Sequence, residues 1–440
     1  MARTGPSRWR RRSGRPRSSG FWSRPRRSGY RLRRRLGRCR IGGGVVSGDV
    51  PIGRRVAYLR VRRKLSQQSF ADRLGKSKSW VDKVERGVRS LERVSTIRDI
   101  VAVLRVDAST LLGRDAQPAA SAECAEGVAR IRSALSAYDM APGRPAGRRP
   151  VLSPDRLGRE IGHAWTTYQH ARHPRLVELL PGLLGEVRRA QSHDPALARA
   201  LVVETYRVTA AVLVKLGEAS LAWLAADRAM SAAAGDRVLL ACAAVQLGQA
   251  LRASAGTRSV LLAAAYRIAP PDPAEGPPSE VALCGALLVQ AALVAAASGD
   301  DRAAGDLLDE ATEMAARIGD GHDHHWTAFG PTAVELARVA AAVDVGEGAA
   351  AVARHEAAVR RDGWRWLPLE HRAAHLVDAA RAYLQVGDAG SAARLLTQAD
   401  RAAPAEVRHR PAVREVVGQV ARAPDASATI TELAIGLGLV

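Results

Sequence analysis

Apolar positions recur at helical spacing along most of this chain. Ile52, Val56 and Leu59 follow one another at i, i+4 and i+7. Phe70 and Leu74 lie four apart behind Ser66, a residue suited to an N-cap. Gly75 breaks that helix, and Ser77 can cap another that carries Val81 and Val84. Gly87 stands where a helix ends in the left-handed region. Ile97, Ile100, Val101 and Leu104 share one face of a fourth helix starting at Ser95, and Asp107 or Ser109 can start a short fifth with Leu111 and Leu112. From Ser153 to about Arg422, long Ala/Leu/Val helices come in pairs divided by short turns at His173-Pro174, Gly217, Gly256, Gly299, Gly346 and Gly387. From Gly217 on, the turns are 39, 43, 47 and 41 residues apart, the drifting period of stacked helical hairpins. Each hairpin has an apolar face that only its neighbours can cover.

The pattern predicts an all-α chain: an N-terminal five-helix domain over 46–116, then an antiparallel helical-hairpin solenoid over 151–424. Residues 117–150 read as a linker, with Pro118, Pro142, Pro145 and Pro150 around one helix at 122–135. The stretch Ala269 to Ser279 holds five prolines and reads as a loop. Residues 425–440 form a tail. Residues 1–45 show no periodicity and too little apolar surface to offset ordering.

Composition changes the picture mainly through where charge sits. The formal net charge is +22, but residues 1–45 supply sixteen arginines and no acid, residues 46–116 a net +8, and the remainder −2. Three readings fit residues 1–45: a basic arm adding phosphate affinity, an Arg- and Ser-rich transit peptide, or GC-rich upstream sequence read in frame ahead of a start at Val45 or Val46. The composition favours the last. Aromatics make up only 4% of residues, so small-residue helix packing is expected in the core. Cys39, Cys124, Cys242 and Cys284 are scattered, with no two at metal-ligand spacing, which suits a reducing cytoplasm. Val281 to Ser298 is apolar enough for a weak membrane span, but the character of its neighbours points to a buried array helix and no membrane.

Residues 65–87, LSQQSFADRLGKSKSWVDKVERG, place a helix, a Gly-containing turn and a second capped helix in order, the layout of a helix-turn-helix. The second helix opens with Ser77, Lys78 and Ser79 and carries Asp82 and Lys83 one turn on. All of these donate or accept hydrogen bonds, while Val81 and Val84 form an inward stripe. A major groove admits such a helix with its first residues at the base edges.

Over residues 52–112 the chain resembles the XRE/lambda-repressor-like helix-turn-helix class. The resemblance rests on Ser66-Gln67, Ala71, Leu74-Gly75, Ser77, Glu85-Arg86-Gly87 and Leu111-Leu112. It implies that Gln67 binds a phosphate, that Lys78 and Ser79 face bases with Asp82 and Lys83 on the next turn, that Arg86 lies near the backbone, and that Arg60 pairs with Glu85. Ser69 stands where a capping box would need an acid. Trp80 is unusually bulky for a recognition helix, and wedging against sugar–phosphate and packing on a neighbouring helix are equally open. The competing reading is a small helical domain that binds protein.

The array resembles tetratricopeptide-type repeats, best over 213–233 and 381–404, where Gly marks the turn and Ala recurs in the second helix. Trp165 with Tyr168, and Trp326 with Phe329, are candidate ligand-binding residues, with core packing as the alternative for each; Trp364 and Trp366 flank a loop. The string His322-Asp323-His324-His325 lacks a remote partner to complete a metal set, so no metal or other cofactor is expected. No P-loop, nucleophile elbow or dinucleotide fingerprint is present, and no enzyme is expected. The sequence thus points to a cytoplasmic, non-enzymatic transcriptional regulator of bacterial type. It would bind double-stranded DNA as a homodimer, and its array would dimerise, sense a peptide, small-molecule or protein effector, or both. The alternative is an interaction scaffold with a degenerate helix-turn-helix domain.

Overall fold

The computed structural model describes residues 52–89, 91, 94–104, 106, 119–137, 151–254, 256–268, 276–424 and 426–439. The segment 1–45, the fifth helix expected at 107–112 and most of the proline-rich loop lie outside the described residues. Among those described, the regular structure is entirely helical.

Four helices build the N-terminal domain: α1 (Ile52–Arg62), α2 (Gln67–Arg73), α3 (Lys78–Glu85) and α4 (Val94–Leu104). Ser66 Oγ accepts from the Ser69 amide at 3.0 Å, and Ser77 Oγ accepts from the Trp80 amide at 3.1 Å. Each cap satisfies a donor that the first helical turn leaves unpaired. Val56, Phe70, Ala71, Val81, Ile100 and Leu104 meet in one core. Gly53 lets α1 lie directly on α3, because a Cβ there would come 2.0 Å from the Val84 carbonyl oxygen.

The array opens earlier than composition suggests. Helix α5 (Ala119–Ser136) lies inside the stretch read as a linker. Its stripe Cys124, Val128, Ile131 and Leu135 is buried in the same core as α6 (Pro154–Gln169) and α7 (His173–His193). The helix expected at 122–135 is thus present, with apolar residues at i, i+4, i+7 and i+11, and it packs on the array although prolines flank it at both ends. There follow α8 (Pro195–Lys215), α9 (Ala219–Ala232), α10 (Arg237–Ala250), α11 (Thr257–Ile268), α12 (Pro278–Ala297), α13 (Asp301–Ile318), α14 (Pro331–Val345), α15 (Gly348–Ala358), α16 (Leu369–Gln385) and α17 (Ala389–Ala402). The short α18 (Pro404–Arg408), α19 (Pro411–Ala421) and α20 (Ala428–Gly436) close the chain.

The six expected turns join α6 to α7, α8 to α9, α10 to α11, α12 to α13, α14 to α15 and α16 to α17. Four use one device, a glycine followed by an acid: Gly217-Glu218, Gly299-Asp300, Gly346-Glu347 and Gly387-Asp388. These glycines have φ between +74° and +91°, a region other residues rarely adopt. At the first of them the Glu218 amide donates back to the Leu213 carbonyl at 3.0 Å, a Schellman closure. Small residues then let the paired helices approach: Ala222, Ala225 and Ala226 of α9 and Ala392 of α17 are fully buried. Helix α12 is long and apolar enough to cross a membrane, yet 78% of its apolar stretch is buried, as a central array helix requires.

The solenoid curls until its last helices meet its first hairpins. Ala171 packs with Ala373 and Ala403, and Gly217 lies against the Pro411 ring, where a Cβ would fall 2.8 Å from Cγ. The segment 319–330 between α13 and α14 also reaches the first hairpin, where Gln169 Nε2 donates to Asp323 Oδ2 at 2.6 Å.

Candidate nucleic-acid interface and internal cavity

Helix α3 is held from below by a buried ion pair. Arg60 of α1 donates through Nε to Glu85 Oε1 at 2.6 Å and through Nη2 to Oε2 at 3.0 Å. Gln67 of α2 adds a 2.8 Å bond from Nε2 to Glu85 Oε2, and Arg60 Nη1 reaches the Leu65 carbonyl at 2.7 Å. Charge-assisted, bidentate bonds of this kind are directional and strong. Through one carboxylate they fix α1, α2 and α3 relative to one another. Gln67, expected at a phosphate, thus spends one amide N–H inside the domain; its second N–H and carbonyl are uncommitted by this bond.

The opposite face of α3 is polar and open. Ser77, Lys78, Ser79, Lys83 and Arg86 are exposed, and Asp82 is half-buried. Asp82 and Arg86 form a surface pair at 2.9 Å, the kind that contributes little. Val81 and Val84 face the core at 1% exposure. Trp80 is half-buried and packs against that same core, so it stiffens the helix from the side. Further exposed cations, Arg62, Lys64, Arg73, Lys76 and Arg89, stand at the ends of α1, α2 and α3. The run Arg62-Arg63-Lys64 was the sequence signal for part of this set. An eight-residue helix with outward donors and flanking cations suits a polyanion groove.

The four aromatic candidates of the array lie together. Trp165 and Tyr168 on α6, with Trp326 and Phe329 on the segment before α14, line one cavity of about 410 Å³. The Trp165 and Trp326 rings stack with centroids 5.9 Å apart and planes 6° apart. Tyr168 meets Trp165 edge-on at 5.9 Å. Trp165 Nε1 donates to Glu204 Oε2 at 2.9 Å. The guanidinium of fully buried Arg207 lies 5.2 Å from the Trp165 ring centroid. It donates to Gln246 Oε1 at 2.8 Å and to the His325 carbonyl at 2.9 Å. Burial opposes the Arg207 charge, but the neighbouring Glu204 carboxylate outweighs it and its pKa is raised.

The 324–328 backbone departs from ordinary conformations. His325, Trp326 and Ala328 have φ of +54°, +62° and +48°, which costs free energy in non-glycine residues. Asp323 Oδ1 holds this turn by accepting from the Ala328 amide at 2.8 Å. Gly285 of α12 makes room for Phe329, since a Cβ would come 2.1 Å from its ring.

Sequence patterns did not reveal the ionic wall of this cavity. Lys215, the single lysine beyond residue 83, ends α8 between Glu370 of α16 and Glu406 of α18. His371 Nδ1 lies 2.7 Å from Glu370, and His173 Nε2 lies 3.1 Å and Arg410 Nη1 2.9 Å from Glu406. Burial disfavours ionised Glu370, but Lys215 and His371 outweigh it and hold its pKa well below the ordinary value. Burial likewise opposes the His371 charge, and Glu370 more than compensates, raising its pKa. The one available signal was an isolated lysine at the end of an apolar helix. Its partners lie over 150 residues downstream, where periodicity gives no pairing.

Trp364 is half-buried with its edge toward His375 at 5.5 Å, and Trp366 is exposed under Arg365. Among the described residues, no group of three or more His, Cys, Asp or Glu side chains has the arrangement to hold a metal ion.

Comparison with known families matches residues 51–112 to a helix-turn-helix domain. No curated protein and no solved structure matches the chain. The matched stretch covers all four helices of the N-terminal domain and ends before α5. The chain therefore carries a helix-turn-helix domain ahead of an all-α helical array.

Proposed function

We propose that this chain is a non-enzymatic, cytoplasmic transcriptional regulator of the XRE/lambda-repressor-like type that binds double-stranded DNA sequence-specifically. The observation that carries the reading is the exposed face of α3, locked in place by Arg60, Gln67 and Glu85. In this reading Lys78 and Ser79 meet base edges, with Ser77, Asp82 and Lys83 beside them. Arg86 and the second N–H of Gln67 lie near phosphates. Asp82 can accept from a cytosine amino group once Arg86 turns from it to the backbone. The tetratricopeptide-like array serves as the dimerisation and signal-receiving part. A homodimer would place two α3 helices in major grooves about one helical turn apart. The functional division is 46–116 for DNA and the rest, from α5 on, for assembly and signal.

Selection of duplexes from a random pool by the full chain tests this. The expected result is an enriched, dyad-symmetric sequence whose half-sites lie about 10 base pairs apart. Recovery of unenriched DNA would overturn sequence-specific binding and leave the scaffold reading in its place.

A further inference from the structure

We propose that the cavity inside the array binds an uncharged small molecule carrying a flat ring system. Binding itself does not depend on the DNA-binding reading; only its role as a signal rests on that reading.

The size is right for such a ligand. About 410 Å³ lies within the range of small-molecule sites, roughly 300–1,000 Å³. The lining combines aromatic surface, the Trp165–Trp326 stack and Phe329, with aliphatic side chains, Val289, Leu293 and Ala337. A flat ring gains contact area and offset stacking against such surfaces.

The lining charges exclude a net ionic ligand. Lys215 is shared between Glu370 and Glu406, and Arg410 also pairs with Glu406. At the other end Arg252 faces Asp344 at 2.9 Å, and Asp378 lies 3.5 Å from Arg381. An added charge would lose its hydration and meet pairs already matched. Polar groups remain for a ligand, among them His375 Nδ1, which has no hydrogen-bond partner among the described residues. Gln249 of α10 and Gln290 of α12 line the cavity half-buried, and neither amide makes a hydrogen bond to protein among the described residues. They suit one or two carbonyl, hydroxyl or amide groups on an otherwise apolar molecule.

The return of α16, α18 and α19 onto α7 and α8 brings Glu370, His371 and Arg410 to the cavity beside Lys215. Trp326 is delivered by backbone held at φ +62°, with His325 before it and Ala328 two residues after it also at positive φ. Conformations of that cost persist where the surroundings over-determine them, commonly at ligand sites.

The test is a fluorescence titration of the full chain with N-phenyl-1-naphthylamine, a neutral fused-ring probe that brightens in apolar surroundings. The expected result is saturable binding of one probe per chain with quenching of tryptophan emission. The sulfonated analogue 8-anilinonaphthalene-1-sulfonate should bind at least tenfold more weakly. Val289→Trp fills the cavity and should weaken the neutral probe at least tenfold. Trp326→Ala, which removes the stacking face from the 319–330 segment without enlarging a helix, should weaken it at least fivefold. Circular dichroism reports whether each variant is folded, and Trp326→Ala decides if Val289→Trp is not. Non-saturating binding, equal affinity for the sulfonate, or unchanged affinity in a folded variant overturns the proposal. No DNA enters this assay, so its failure is separate from a failure of duplex selection.

Discussion

The two regions of this chain handle charge in opposite ways. The helix-turn-helix domain buries the ion pair of Arg60 with Glu85 and leaves the lysines of α3 in solvent. The array, which with the linker and tail carries a net −2 over 324 residues, draws Lys215, Glu370, Glu406, Arg410, His173 and His371 inward, where they compensate one another. In the first region the buried pair orients a surface that stays charged. In the second, buried pairs hold distant hairpins together around a cavity with both aromatic and charged lining. Net charge alone would not separate these uses; the exposure of each charge does.

Breaking the inner cluster should have the largest effect. Glu406→Ala leaves Lys215, Arg410 and His173 without their shared carboxylate, and should cost about 3–5 kcal/mol, the usual penalty for orphaning a buried charge. Thermal unfolding would show it as a marked drop in midpoint. The exposed pair of α3 gives the contrast: Asp82→Ala should leave the midpoint almost unchanged, because surface pairs contribute about 0–1 kcal/mol.

Gly53→Ala tests the other core. Its methyl group would meet the Val84 carbonyl, and overpacking of this kind costs about 1–3 kcal/mol. The loss should fall on α1–α4, so protease cleavage within 52–104 should rise while the array stays resistant.

Acid should weaken the array in a defined window. Burial, with His355 alongside, pushes the His375 pKa from 6.5 down to about 3. His375 is neutral when folded, whereas the unfolded chain gains its proton near 6.5. Its stabilisation is therefore present above pH 6.5 and is lost as pH falls toward 3, by about 1.4 kcal/mol per unit. The depressed Glu370 and Glu406 add to the loss below their ordinary 4.5. His371 acts in the opposite sense: its pKa is raised, so its contribution is complete below 6.5 and disappears as pH rises through the folded value. Unfolding midpoints between pH 8 and pH 4 should thus fall on acidification below about 6.5 and fall more steeply below 4.5. A flat profile would remove the neutral burial of His375.

Ser77→Ala should have a modest effect. It removes the N-cap of α3 and should cost about 1 kcal/mol, read as a lower midpoint with the array unaffected.

What the sequence makes legible follows the range of the interactions. Capping serines, Gly75, Gly87 and the apolar stripe of α3 act within one or two turns, so the helix-turn-helix can be read directly from spacing. Repeated glycine turns likewise disclose the hairpins. Helix α5 was legible at 122–135, but the flanking prolines made its stretch read as a linker, and its packing on the first hairpin depends on tertiary contacts. Candidate aromatics could be named, but their meeting depends on the curl that brings α6 to the 319–330 segment. Lys215 and Glu406 are 191 positions apart, and only that same closure makes them partners.

The most direct measurement is the affinity of the full chain and of Lys78→Ala for a duplex obtained by selection, each against random duplex at the same salt. The account predicts that Lys78→Ala lowers affinity for the selected duplex by roughly 5- to 150-fold, the worth of one base contact of about 1–3 kcal/mol. Affinity for random duplex should change by less than about threefold. Equal discrimination by the two proteins, or loss of the same size on both duplexes, would contradict the role of α3 in reading bases.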